Sequence, residues 1–433
     1  MAFKPIQKLT ILRTLSNGQR IDVGVLAQNR QGVFFQYDAQ YLAHFGNLSP
    51  FTLQSTTELQ QAPKTPHQGL HGVFADCLPD GWGLLLQDRV FRQHGLTPSQ
   101  ITPMDRLAFV GHRSVGALSF EPVSEWALEP SGEIDLATLG LEAQAVFDGQ
   151  TDHVLAELVA AGSSGGARPK AQIFMPPNQT GQTRQCRTKA QAGDQAWLVK
   201  FTSKNLALGH EEGLCEAAYL TLAKAAELAP VEWTLLDAPA QSGATHWLAV
   251  KRFDWVNEGA SAGRHHTHSA CGLLDADFRS PSLDYADLIK ASRQVCKAPA
   301  VGQLQFKRAL FNLFGCNQDD HSKNWAFLQD DQAQWQVAPF FDVTFSPHPF
   351  GEHTTAFSGY GKAPPLKTIQ ALASRAGFSD WKHAQQAIAH ITDQLGQFAD
   401  LAQQLGIKPA TSQLIQKRLN QAWLENKHLL QPR

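Results

Sequence analysis

The chain has 433 residues, and its 37 lysines and arginines nearly balance 39 aspartates and glutamates, for a formal net charge of -2. With 43% hydrophobic and 18% charged residues it is a globular chain with large cores. It is not a disordered one, nor a nucleic-acid binder driven by bulk charge. The length predicts two or three folding units, and no apolar run reaches membrane-spanning length. Residues 1–5 lack the apolar core of a signal peptide, and Cys77, Cys186, Cys215, Cys271, Cys296 and Cys316 form no C-x-x-C pair. Reduced, mostly buried thiols in a cytoplasmic protein are the expectation.

The first third reads as β-rich. Ile21, Val23 and Val25 alternate with polar or small neighbours, and a polar turn at 28–32 leads into Val33-Phe34-Phe35-Gln36-Tyr37, which predicts a hairpin. Asp80-Gly81 punctuates the chain before a helix through Leu84-Leu85-Leu86, and Val115 to Leu118 reads as turn and strand. Pro130 and Gly132 mark a boundary. Residues 136–161 read as helical, 162–170 as a small-residue loop, Ile173-Phe174 as a strand start and 175–194 as an exposed hairpin. Strands follow at 197–201 and 247–253, with a helix over 211–228 between them. Beyond Asp254 the chain turns helical, at 285–297, 303–314, 380–405 and 412–430. This order predicts an α+β, bilobal enzyme. Its divisions are a β-rich N-terminal subdomain at 1–130, a β-containing lobe at 131–254 and a helical lobe at 255–433.

The chemistry concentrates at Asn317-Gln318-Asp319-Asp320-His321-Ser322-Lys323-Asn324 and at Phe340-Phe341-Asp342. Asp319 and Asn324 have the D-x-x-x-x-N spacing of a phosphoryl-transfer loop, with a base at its start and a metal ligand at its end. A predicted hairpin, 325–328 with 334–338, brings the chain back so that Asn324 and Asp342 lie side by side as oxygen ligands for Mg2+. Lys323 or His321 would balance phosphate charge. Two other readings use the same residues. One is an Asp/Asn-rich surface turn, and the other a metallohydrolase with Asp319, Asp320 and His321 as ligands.

Lys200 sits inside an apolar strand, where its ammonium calls for an anionic partner unless it snorkels at a sheet edge. Glu216 on the following helix is a candidate ion-pair partner. The loop at 162–170 is neither a Walker A nor a G-x-G-x-x-G sequence, yet Ser164, Gly165, Gly166 and Ala167 are small enough for backbone N–H groups to approach phosphate. Arg252-Phe253 ends a strand at a natural hinge. His265, His266, His268 and Cys271 match no zinc spacing and read as a polar loop or a partly buried histidine group.

These motifs resemble those of the HipA-family toxins, the kinase components of bacterial type II toxin–antitoxin pairs. Phe74-Ala75-Asp76-Cys77-Leu78-Pro79-Asp80-Gly81-Trp82-Gly83 resembles the signature of that family's N-terminal region, as do 107–111 with 116–118. Residues 162–170 resemble its phosphate loop and 317–324 its catalytic loop. The resemblance implies a serine/threonine kinase fold related to phosphoinositide kinases, using ATP and Mg2+. It implies Asp319 as the catalytic aspartate and Asn324 and Asp342 as magnesium ligands. Lys200 is implied on the ATP phosphates, His321 and Phe341 in the nucleotide site, and Lys251, Arg252 and Phe253 at the adenine. It further implies self-limiting autophosphorylation at Ser163, with Ser164 as the adjoining candidate hydroxyl. The implied partners are a small helix-turn-helix antitoxin of the HipB kind, operator DNA reached mainly through it, and a protein substrate such as an aminoacyl-tRNA synthetase. Other readings are a catalytically silent module that binds antitoxin and DNA, and a small-molecule kinase of the same fold.

Overall fold

The computed structural model describes residues 3–127, 132–151, 156–161, 165–177, 185–256 and 262–431. Internal packing divides the chain into two units, each discontinuous in sequence. The first comprises Met1–His210, Leu236–Asp275 and Leu328–Gln334. The second comprises Glu211–Leu235, Ala276–Phe327 and Trp335–Arg433.

The first unit holds a sheet of β1 (Lys8–Thr14), β2 (Arg20–Asn29), β3 (Gly32–Tyr37), β4 (Gln60–Gln61) and β5 (Leu118–Glu121), in the order β4-β3-β2-β1-β5. The hairpin expected from the sequence is β2–β3. Its alternation is not simple, because Ile11 pairs with Gly24 and Leu12 with Asp22, so Val23 bulges out of the ladder. A bulge changes which residues face inward, and the buried pair becomes Val23 and Leu26 rather than Val23 and Val25. Gly24 is required there, since a Cβ would lie 2.2 Å from the Gln36 carbonyl oxygen. Helix α1 spans Gly81–Gln93 and α2 Pro103–Val110. A Thr102–Asp105 capping box with Pro103 in the first turn starts α2. Met104, Leu107 and Ala108 of α2 join Leu9, Ile11, Leu26 and Phe35 in one core.

A second sheet contains β6 (Glu133–Asp135), β7 (Lys170–Met175), β8 (Gln185–Arg187), β9 (Gln195–Lys200), β10 (Trp233–Asp237) and β11 (His246–Lys251). Their order is β10-β11-β9-β7-β8-β6. Trp82, Leu86 and Val90 of α1, with Leu139 and Ala143 of α3 (Leu136–Phe147), bury its apolar face together with Val199 and Trp247. The helical stretch expected over 136–161 is α3 followed by a short helix, Ala156–Ala160.

The second unit is mainly helical, with α4 (Glu212–Ala225), α5 (Tyr285–Cys296), α6 (Pro299–Gly315), α7 (Leu366–Ala376), α8 (Trp381–Leu395), α9 (Phe398–Gln404) and α10 (Pro409–Asn426). Helix α6 is its axis. Phe306, Leu310, Phe311 and Phe314 are buried, and α5, α7, α8 and α10 pack around it. The helical stretch expected over 380–405 is interrupted between α8 and α9. A hairpin of β12 (Ala326–Gln329) and β13 (Trp335–Val337) follows α6. Class and element order are thus those of the expected α+β fold. Among the described residues, no helix is long and apolar enough to cross a membrane.

The histidine group is structural. His266 and His268 are fully buried, with His266 Nε2 3.0 Å from the Leu48 carbonyl. His268 lies between Asp76 Oδ2 at 2.6 Å and Ser49 Oγ at 2.8 Å. No metal-binding group of three or more His, Cys, Asp or Glu occurs among the described residues. His71, 3% exposed, packs against Phe35 and Phe74, and neither ring nitrogen has a hydrogen-bond partner among the described residues. Burial pulls its pKa down to about 4, so the folded state holds it neutral. The unfolded chain therefore takes up a proton near the ordinary histidine value before the folded chain does. Stability from this group is complete above pH ~6.5 and is lost as pH falls towards 4. Urea denaturation at pH 7 and pH 5 is expected to show a loss, of which His71→Phe removes about 2 kcal/mol. An unchanged difference in that variant would contradict the assignment.

Candidate functional site

The loop after α6 is set by two adjacent aspartates with opposite environments. Helix α6 ends with Cys316 in a left-handed conformation, which turns the chain sharply. The Asp320 side chain is 0% exposed and that of Asp319 68% exposed. The Asp320 carboxylate accepts from the Tyr285 hydroxyl, from His353 Nδ1 at 2.8 Å, and from the backbone N–H groups of Thr354 at 2.9 Å and Thr355 at 3.1 Å. Burial, then the Asp320 carboxylate, push the Tyr285 hydroxyl well above its ordinary pKa, so it stays a donor. The network extends outward. Asn312 Nδ2 donates to Tyr285, Asn317 Nδ2 to Asn312, and Ser346 Oγ to Asn317. The Asp320 carbonyl accepts from Trp325 Nε1 at 3.2 Å and from the Thr355 hydroxyl.

With Asp320 fixed, Asp319 projects outward. Asn324 Nδ2 donates to the Asp319 carbonyl at 2.7 Å, and His321 Nε2 lies 3.8 Å from Asp319 Oδ1. The structure thus brings Asp319, His321 and Asn324 together across a single 3-10 turn, Ser322–Asn324. Lys323 lies over the Phe278 ring at 4.2 Å. Asp320 is consumed by four donors, which removes it from the ligand set that a metallohydrolase would need.

The expected hairpin is present, and Ala338 N donates to the Ala326 carbonyl at 2.8 Å, closing it two residues from Asn324. Past it, Phe340 forms a bridge with Pro230, and its N–H donates to the Ala229 carbonyl at 2.9 Å. Arg308 holds this turn from below. Its guanidinium donates to the carbonyls of Leu228, Ala229 and Ala338 at 3.0, 3.2 and 3.1 Å and lies over the Phe340 ring at 5.2 Å. Phe341 and Asp342 follow, both half-buried, with Asp342 left-handed at φ 50. Glu216 is buried on α4.

In the first unit, Lys200 ends β9 and pairs with Leu248 of β11 and with Lys170 of β7. Directly opposed residues of an antiparallel pair share a face, so two buried lysines lie side by side. Lys170 is a candidate that spacing alone did not single out, because recognising it needs the strand register. Its Nζ donates to the Gly165 carbonyl at 2.6 Å. Gly166 N–H donates to Asp80 Oδ1, Trp82 N–H to the Gly166 carbonyl at 2.9 Å, and Trp82 Nε1 to the Lys170 carbonyl at 2.8 Å. The Asp80-Gly81-Trp82 segment therefore clamps Gly166 and the start of β7. Gly81 allows it, since a Cβ there would lie 2.6 Å from the Gly166 carbonyl oxygen. Ala167 continues the loop. Ser163 and Ser164 lie outside the described residues.

The hinge segment leaves β11 at Lys251, opposite Trp197, and Arg252 N–H donates to the Ala196 carbonyl at 3.0 Å. The Arg252 guanidinium is committed to a buried network, with Nε 3.0 Å and Nη2 2.5 Å from the Asp254 carboxylate and Nη1 2.5 Å from Gln172 Oε1. Asp254 also accepts from Gly116 N–H at 2.8 Å. Burial alone would raise the Asp254 pKa, but Arg252, Arg264 and the Gly116 hydrogen bond hold it below the usual carboxylate value. Arg252 thus ties the segment down through its side chain, and Phe253 follows it.

Residues 162–399 match the HipA-like C-terminal domain, and residues 17–121 match the HipA N-terminal domain. The chain belongs to the HipA family. The fold is that of a chain from the Shewanella oneidensis MR-1 toxin–antitoxin complex of HipA, HipB and operator DNA. That likeness has a TM-score of 0.66 and 17% identity over 96% of both chains. A curated relative, "Putative kinase Y4mE" of Sinorhizobium fredii (strain NBRC 101917 / NGR234), is 31% identical over 140 residues, 30% of this chain. The match spans about a third, 31%, of that relative's length. Lys170, Lys200, Asp319, Asn324 and Asp342 all fall within the residues that match the HipA-like C-terminal domain.

Two substitutions separate anchor from exposed group. Asp320→Ala leaves Tyr285, His353 and two backbone N–H groups unpaired in the interior, and is expected to cost about 3–5 kcal/mol in urea denaturation. Asp319→Ala is expected to cost no more than about 0.5 kcal/mol. Equal losses would contradict the assignment of opposite roles.

Proposed function

We propose that this HipA-family chain is a Mg-ATP-dependent serine/threonine protein kinase that acts as the growth-inhibiting toxin of a toxin–antitoxin pair. One observation carries the reading. The buried Asp320 network presents an exposed carboxylate, Asp319, with its chain neighbour Asn324 fixed to its own carbonyl. In phosphoryl transfer through a loose transition state, a carboxylate at that point orients the acceptor hydroxyl and takes its proton late. Asn324 and Asp342 supply the oxygen donors that Mg2+ prefers. The bound ion would neutralise charge on the phosphates. Lys170 and Lys200, side by side on one sheet face, would face the phosphates of ATP. The backbone of Gly165, Gly166 and Ala167 approaches the same phosphates. Lys251, Arg252 and Phe253 line the adenine through backbone groups, and His321 and Phe341 border the nucleotide. Glu216 supports Lys200 as its ion-pair partner.

The regulatory half follows the family. Ser163 or Ser164 takes a phosphoryl group from ATP, and a dianion placed where ATP phosphates bind switches the enzyme off. The Shewanella HipA structure contains HipB and operator DNA. By analogy, we assign this chain a HipB-like helix-turn-helix antitoxin and DNA contact made mainly through it. The near-neutral charge suits that arrangement. The acceptor is a cytoplasmic protein, with aminoacyl-tRNA synthetases as first candidates. Segments 1–130, 131–254 and 255–433 are the corresponding N-terminal subdomain, N-lobe and C-lobe.

The test is transfer of labelled phosphate from ATP. Wild type is expected to label itself in the 162–170 loop, and Asp319→Gln to lose at least 100-fold of that rate, on the order of general-base catalysis. Equal labelling would remove Asp319 from its role, and unlabelled wild type would favour a silent antitoxin-binding module. Asp342→Ala is expected to abolish the magnesium dependence of ATP binding measured by titration calorimetry. Unchanged magnesium dependence would remove Asp342 from the ligand set.

A further inference from the structure

Beside the catalytic loop, the second unit holds a cavity of about 230 Å³ that no step above uses. The end of α6, loop residue Gln318, the stretch from Pro347 to His353, Lys362–Ala363 and one face of α10 enclose it. Asn426, 2% exposed, lines it. Its Nδ2 donates to the Ala422 carbonyl at 2.9 Å, but its Oδ1 has no hydrogen-bond partner among the described residues. An interior acceptor left unpaired carries an uncompensated desolvation cost, so this one is a standing demand for a donor. Leu313 and Ala422 give the cavity apolar wall. Lys362 and Arg418 also line it, are exposed, and make no ion pair among the described residues. The one acid on the lining, Glu425, accepts from Gln421 Nε2 at 2.9 Å.

The cavity wall is continuous with the proposed active loop. Gln318 immediately precedes Asp319. Its N–H donates to the Ser346 carbonyl at 3.1 Å, and its Oε1 accepts from His348 N–H at 2.7 Å. The segment so strapped ends in Phe350, an aromatic ring 77% exposed at the lining. An occupant must therefore bring an apolar body, an N–H or O–H at its tip, and negative charge nearby. It would then lie against the loop that carries Asp319.

We infer that this cavity seats one side chain of the acceptor polypeptide, donor-tipped and drawn from an acidic segment, and so selects which hydroxyl reaches Asp319. This rests on the kinase reading above. It makes Asn426, Lys362 and Arg418 specificity residues that touch the substrate chain away from the transferred phosphate.

The experiment uses the full chain, labelled ATP and a positional-scanning peptide library built around a fixed serine. Self-labelling in the same reactions reports on the kinase reading. Wild type is expected to prefer Tyr over Phe by about tenfold at one position near the serine, the worth of one hydrogen bond to the orphan acceptor. It is also expected to favour Asp and Glu at adjoining positions. Asn426→Leu should lose the Tyr preference, and Asn426→Asp, which keeps an acceptor and the volume, should retain it. The double variant Lys362→Glu, Arg418→Glu should replace the acidic preference with a basic one. All three should self-label within twofold of wild type. Wild-type peptide selection in self-labelling variants overturns the inference and leaves the kinase reading standing. So does a wild type that labels itself but no peptide. A wild type that labels neither overturns both.

Discussion

Everything proposed for this chain depends on one buried carboxylate. Asp320 has no exposed side-chain surface and four donors around it, from α5, from His353 and from two successive backbone N–H groups. A buried charge of that kind is tolerable only when each lone-pair direction is used, and stripping its partners leaves a penalty of several kcal/mol. The loop after α6 consequently has one geometry. With Asp320 turned in, Asp319 turns out, and Asn324 closes back on the Asp319 carbonyl. The stability of the interior and the aim of the outward carboxylate are two consequences of the same hydrogen bonds.

The first unit uses the same device, a buried carboxylate held by its donors. Arg252 and Arg264 converge on buried Asp254, while Lys170 and Lys200 are placed opposite each other on adjoining strands. The proposal gives that pair of lysines a use, as a receptor for phosphates. The Asp80-Gly81-Trp82 segment adds a mechanical link. It fixes the backbone of Gly166 through two hydrogen bonds and holds β7 through the Trp82 indole. The signature of the N-terminal region thus has a physical task, positioning the loop that follows it by more than 80 residues in sequence.

How much of this could be read beforehand varied with the kind of signal. The D-x-x-x-x-N spacing, the hairpin after it and the strands at 197–201 and 247–253 are local patterns, and they were legible. The spacing singles out Asp319, but it does not show that the neighbouring Asp320 is a buried anchor, because burial is a long-range property. Local patterns could not pair Lys170 with Lys200, because strand register is a long-range property too. The inward set of β2 after Val23 is not legible, since a bulge is invisible in an alternating sequence. Helix α7 has no distinct signal in the sequence, and 136–161 carries no proline to mark the end of α3. The histidines at 265–268 read either as a polar loop or as a partly buried group; His266 and His268 are fully buried, with Leu48, Ser49 and Asp76 as partners.

The proposal turns on the outward aspartate orienting a protein hydroxyl, in the cell, for phosphoryl transfer from ATP. Phosphoproteomics of cells expressing wild type against cells expressing Asp319→Gln tests it most directly. The account predicts a small set of serine or threonine phosphosites, on a target protein and in the 162–170 loop, present with wild type and absent with the variant. Identical phosphosites in the two, with growth slowed equally, would contradict it.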